Sequence, residues 1–169
     1  MHQSEDRQLW DFSKFLEICI DRPAQAVWPY LFRKHNDVWS RTSYTTVAGT
    51  PGEVGELYGM AYPIVSQGGK LYFEAIRVEP AKHLVLKMTY QKTESDARQV
   101  CGYDFFTLDE VAGHTTVSFQ QASELPVDVT ASLTELTARH SQFLDDIFRD
   151  LKKMVEGAPL GDRTNPWSS

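Results

Sequence analysis

The 169-residue sequence predicts an α+β domain: a seven-stranded, curved antiparallel sheet wraps around one long C-terminal helix, with two short helices between strands 1 and 2. Three observations carry that reading. Residues 43–123 repeat β-branched and aromatic runs between turn residues, residues 130–156 hold one apolar arc at helical period, and a single alternating run precedes both. A sheet much wider than its one helix has to curl around it. The space between them is then a cavity unless large side chains fill it.

Taken in order, residues 1–10 read as a polar lead-in. Residues 11–20 alternate as a strand, with Leu16, Ile18 and Ile20 on one face. Asp21-Arg22-Pro23 breaks it, and residues 24–34 read as a short helix whose Pro29 sits in the first turns, where a missing N–H is tolerated. A second helical turn is expected at 35–39. Strands follow at 43–47, 56–65, 70–78, 84–91, 99–108 and 115–123. Their breaks are Gly49-Thr50-Pro51-Gly52, Gln67-Gly68-Gly69, Glu79-Pro80-Ala81, residues 93–96, and Ala112-Gly113. Links this short join consecutive strands as antiparallel hairpins.

On the last helix, at 100° per residue from Leu133, the side chains of Leu136, Phe143, Leu144, Ile147, Phe148, Leu151, Met154 and Val155 fall within about 80° on either side. Gly157 ends it in the usual left-handed role. Residues 158–169 read as a flexible tail, so one domain spans 1–157 with its core at about 12–156.

Composition narrows the function. With 41% hydrophobic residues the chain is no disordered segment, and no apolar run approaches the ~20 residues of a membrane-spanning helix. The 17 basic and 23 acidic side chains give a net charge of −6, which argues against nucleic acid or an anionic membrane as partner. The polar start is no secretory signal, and two cysteines make no disulfide scaffold, so free thiols and a cytoplasmic location are expected. The sequence has no Gly-x-Ser-x-Gly, His-Glu-x-x-His, Cys-x-x-Cys or Gly-x-Gly-x-x-Gly motif, and its five histidines lack zinc spacing. No metal or cofactor is expected.

Several motifs stand in a telling order. Ile18-Cys19-Ile20-Asp21-Arg22-Pro23-Ala24 leads to a Val27-Trp28 pair, with Trp39 beyond. Then come Pro51-Gly52-Glu53-Val54-Gly55, the corner Val78-Glu79-Pro80-Ala81, Phe106-Thr107-Leu108 and Gly113-His114-Thr115. Together, over about residues 12–156, they resemble the Bet v 1/START-like (SRPBCC) superfamily in its polyketide cyclase/dehydrase-like branch. The resemblance implies a helix-grip fold enclosing a pocket for hydrophobic small molecules. Members bind lipids, sterols or hormones, cyclise aromatic polyketides, or serve as oxygenase or chaperone-activator domains. The iron–sulfur motifs of the oxygenase branch are absent.

Strand parity nominates the pocket residues. Leu84, Leu86, Met88 and Tyr90 form one set, opposite Lys87. Ile76 and Val78 are expected inside with Arg77 and Glu79 outside, and the same parity carried backwards puts Glu74 and Tyr72 inside. Phe106, Leu108, Val117 and Phe119 face in, bringing Asp104 and Gln121 with them. The parity of Tyr58 and Tyr62 depends on the Gly68-Gly69 loop and stays open. On the helix, His140 lies about 20° from the centre of the apolar arc and Thr137 about 40° to the other side, so both join Leu133 and Leu136 facing the sheet. Gly102 and Ala75 are small residues for the cavity wall.

Three functions remain. The first is binding of a hydrophobic or aromatic small molecule, lipid- or polyketide-like, by these residues. The second is a metal-independent cyclase, dehydratase or hydrolase in which His140 moves protons with Glu74 or Asp104. The third is a regulatory protein-interaction domain, for which the sequence offers no distinctive patch. The plainer reading of His140 is a core imidazole bonded to a buried polar group. Glu74, Asp104 and Gln121 are its expected partners.

Overall fold

The protein is described here by a computed structural model covering residues 7–32, 44–62 and 68–160. Its elements are β1 (Arg7–Ile20), α1 (Ala24–Val27) continued by a 3-10 turn (Trp28–Leu31), β2 (Thr45–Ala48), β3 (Leu57–Ala61), β4 (Lys70–Glu79), β5 (His83–Gln91), β6 (Gln99–Val111), β7 (His114–Asp128) and α2 (Leu133–Glu156). The seven strands form one antiparallel sheet in the order β1-β7-β6-β5-β4-β3-β2. Strands β2 to β7 are therefore a meander, and β1 is added beside the last of them.

Some boundaries move. β1 begins at Arg7 instead of residue 11, because Trp10 continues its buried face and is 2% exposed, so the polar lead-in is shorter than expected. The helix expected over 24–34 is a four-residue helix followed by the 3-10 turn, with Pro29 in the first positions of that turn. The second turn at 35–39, Trp39 and the end of the third expected strand lie outside the described residues. α2 starts at Leu133, not residue 130, because the Ser132 hydroxyl caps it by accepting from the Glu135 N–H. It ends where expected, at Gly157, whose φ of 78° suits a residue without Cβ.

One irregularity overturns a parity. β4 carries an extra residue, Ile76, between Ala75 and Arg77 where it pairs with β5. Counting back from Val78 across this bulge reverses the faces. Leu71, Phe73 and Ala75 face α2, whereas Ile76, Tyr72 and Glu74, all expected inside, do not. Ile76 is 40% exposed. Glu74 meets Lys87 on the outer face, with 3.4 Å between charged atoms. Tyr72 is buried on that same outer side. The Arg98 guanidinium covers its ring at 4.1 Å, and its hydroxyl donates to Gln91 Oε1 at 3.0 Å.

The register also resolves the open pair. Tyr58 stands opposite the inward Phe73, and Tyr62 lies edge-on to the inward Tyr90 with ring centroids 5.5 Å apart. Both are inside.

Candidate functional site

The ladders line up inward side chains in rows across the concave face. One row is Phe12, Ser123, Gly102, Met88, Phe73 and Tyr58. Two residues along the strands comes Lys14, Gln121, Asp104, Leu86 and Ala75, and two further Leu16, Phe119, Phe106, Leu84 and Val78. The third row is closed off by aromatic packing: Phe148 of α2 lies 4.9 Å from Phe119 and 6.2 Å from Phe106. The middle row is polar where it crosses β1, β7 and β6.

α2 covers this middle row and runs in the direction of β1. Trp10 Nε1 donates to Thr137 Oγ1 at 3.0 Å near one end, and Lys152 Nζ donates to the Cys19 carbonyl near the other. Between them, Lys14 Nζ donates to Ser141 Oγ at 2.7 Å and sits 2.9 Å from Asp145 Oδ1. Next along the belt, Gln121 Nε2 donates to Asp104 Oδ1 at 2.8 Å, and His140 Nε2 stands 2.7 Å from Gln121 Oε1. Asp104 is fully buried and Gln121 nearly so. The His140 ring is set in aromatics, edge-on to Phe12 at 4.6 Å and to Trp10 at 5.7 Å, and stacked on Phe143 at 5.8 Å. Burial there holds the imidazole well below its ordinary value, at about 4, so it is neutral at pH 7.

The structure thus brings His140, Gln121 and Asp104 together and leaves Glu74 and Tyr72 on the other side of the sheet. Met88, Tyr90, Phe106, Phe119 and Leu136 are buried on the concave side, and Leu133 is half-buried. Thr137 is exposed, and its hydroxyl is engaged by Trp10 instead of standing beside His140. Sequence reasoning missed Trp10, Phe12 and Lys14. Counting back from Ile20 in steps of two reaches all three, but Lys14 interrupts the apolar pattern. Gly102 is small for a different reason from the one expected: a Cβ there would lie 2.3 Å from the Ala122 carbonyl oxygen of β7.

Both cysteines are free thiols, Cys19 on β1 and Cys101 on β6 with β7 between them. Burial, helped by the nearby Asp104, pushes the Cys101 thiol up to about 12. Among the described residues, no cluster of three or more His, Cys, Asp or Glu could hold a metal ion, and no helix is long and apolar enough to cross a membrane.

No family model matches this chain, and no curated protein matches it. Solved structures do. Protein MLL2253 from Mesorhizobium loti is 18% identical with a TM-score of 0.59, over 88% of this chain and 99% of that one. CalU16 from Micromonospora echinospora is 13% identical with a TM-score of 0.53, over 90% and 87%. DynU16, from the dynemicin biosynthetic locus, is 16% identical with a TM-score of 0.59 over 90% of this chain, which spans 50% of DynU16. The fold is a helix grip. At these identities the likeness is one of fold, and function has to be argued from the site.

Proposed function

We propose that this protein binds an apolar or aromatic small molecule against the concave face, with the Gln121–His140 pair hydrogen-bonding a polar group of that molecule and Asp104 orienting the pair. The carrying observation is the polar belt among aromatic rings. Ligand sites are mostly apolar, with a few oriented polar groups that fix the pose. Met88, Tyr90, Phe106, Phe119, Leu133 and Leu136 supply apolar surface of that kind. The fold likeness to DynU16, from a biosynthetic locus, supports a small-molecule ligand.

A cyclase- or dehydratase-like activity is the second reading, and the His140–Gln121–Asp104 chain favours it in form. Its basicity argues the other way. General acid–base catalysis works best with a group titrating near the working pH, and an imidazole held at about 4 is a weak base at pH 7. Hydrogen bonding suits it better than proton transfer.

Mass spectrometry of an organic extract of the purified protein should reveal a co-purified apolar molecule. Titration with the neutral fluorophore N-phenyl-1-naphthylamine should saturate, and His140→Ala should weaken binding by about tenfold. Failure of both the extract and the titration would overturn the reading.

A further inference from the structure

The sheet forks at one end. β7 stays paired with β1 as far as Asp128 opposite Arg7, and β6 stays paired with β5 as far as Gln99 opposite Tyr90. The β6–β7 ladder, however, stops at Gly102 opposite Ser123. Two sequence features open it. Cys101 is an extra residue in β6, where the register against β5 shifts, and Pro126 of β7 has no N–H to offer a neighbour. At the crotch the strands are pressed together, which is why only glycine fits at position 102.

A hollow of about 400 Å³ lies in the fork, and Leu9, Tyr90, Val100, Cys101, Glu124 and Pro126 are among its walls. A second, of about 380 Å³, adjoins it at the crotch, shares Cys101 and Glu124, and reaches Phe12. Leu9, Val100 and Glu124 belong to the outer face, whereas Tyr90 and Phe12 belong to the inner one. At the fork, residues of both faces border the same hollows. Two rings stand across the inner end. The Tyr62 hydroxyl donates to the Pro126 carbonyl at 3.0 Å, and the Tyr90 hydroxyl to the Gly68 carbonyl at 3.3 Å. Burial holds the Tyr62 phenol well above its ordinary value, so it stays protonated as a donor.

The position of the fork is informative. Asp104 and Gln121 form the next inward pair beyond Gly102 and Ser123, about 7 Å along the strands. Phe12, at the crotch, packs edge-on to His140. The sheet opens directly above its buried polar belt.

We propose that the fork is a lateral portal, gated by Tyr62 and Tyr90, through which an apolar ligand with a hydrogen-bonding group at its leading end reaches Gln121 and His140. This inference rests on the binding reading above and adds the route. The lips set Leu9, Val100 and Pro126, for an apolar body, beside the charged Arg7, Lys92 and Asp96. The gate is two aromatic rings, each hydrogen-bonded through its hydroxyl to a backbone carbonyl, so swinging either ring aside breaks one such bond.

Stopped-flow mixing of the full chain with N-phenyl-1-naphthylamine tests it. Tyr62→Phe loses the bond to Pro126 at almost constant volume, and association and dissociation should both speed up by about threefold or more. Val100→Trp, at a position 55% exposed and tolerant of bulk, plugs the outer lip and should slow both by about tenfold. Binding whose rates stay within about twofold of the parent in both variants would overturn the portal and leave the binding reading standing. A parent protein that does not bind the probe would overturn the binding reading, and the portal with it.

Discussion

Gln121 turns its carbonyl oxygen to His140 at 2.7 Å because its amide nitrogen is committed to Asp104 at 2.8 Å. The atom facing the imidazole is therefore an acceptor, and His140 carries its proton on Nε2. A buried carboxylate on β6 thus sets the tautomer of a histidine on α2 through an amide on β7. The direction of the Asp104–Gln121–His140 chain is thus fixed within the protein itself.

Replacing Gln121 with Leu keeps the volume and removes one partner from each of two buried groups. At about 1–3 kcal/mol for each such loss, urea denaturation should show the protein destabilised by about 2–6 kcal/mol with its strand content intact. An unchanged midpoint would mean that these bonds do not form.

The His140 imidazole is held at about 4 in the folded protein, against 6.5 in the open chain. Between those values the unfolded chain binds more protons at this residue than the folded one. Its contribution is therefore complete above pH 6.5 and is lost as the pH falls towards 4, by about 2–3 kcal/mol. Thermal melts across this range should show the slope, and His140→Phe should flatten it. An imidazole NMR titration with its midpoint near 6.5 would contradict the burial.

Glu74 belongs to the outer face, paired with Lys87 in a partly exposed salt bridge. Such pairs are worth about 0–1 kcal/mol. Glu74→Ala should therefore shift stability by less than about 1 kcal/mol and leave N-phenyl-1-naphthylamine affinity unchanged. A tenfold loss of affinity would return Glu74 to the concave side.

Trp10 is 2% exposed and spends its indole N–H on Thr137. Thr137→Val keeps the side-chain shape and deletes the acceptor, so a buried donor is stranded at about 1–3 kcal/mol. Chemical denaturation measures the loss. Equal stability of the two proteins would show that water takes over the N–H.

Most of the architecture is legible in the sequence because it rests on periodicity and turns, which are local. The seven strands, the hairpin links and the arc of α2 all follow from spacing. Asp104, Gln121 and His140 are legible for the same reason: each shares a period with apolar neighbours that must be buried. Glu74 and Tyr72 are misread because a single extra residue, Ile76, reverses every assignment upstream of it. Nothing in Ala75-Ile76-Arg77 marks a bulge, since the insertion is imposed by pairing with β5. Tyr72 adds a second lesson, because it is buried on the outer face by Arg98, from the far side of the β5–β6 turn. Lys14 is illegible for a third reason, as a lysine on an inner face makes sense only once Ser141 and Asp145 are in place above it.

The pairing of β1 with β7 has a consequence for how the chain is made. Gln8 and Asp128 are brought together from positions 120 residues apart, and the whole β1 ladder shares that long range. Strands β2 to β6 meet neighbours that follow them closely, so their hairpins can close while synthesis continues. β1 leaves the ribosome first and has no strand to join until β7 follows. At about 5–20 residues per second that wait is on the order of ten seconds. For all of it Trp10 and Phe12 have no core to enter, and contacts of this range are the slow ones in folding. Of the seven strands of this sheet, the earliest in the chain is thus the last to be seated, and α2, which lies along it, can dock only afterwards.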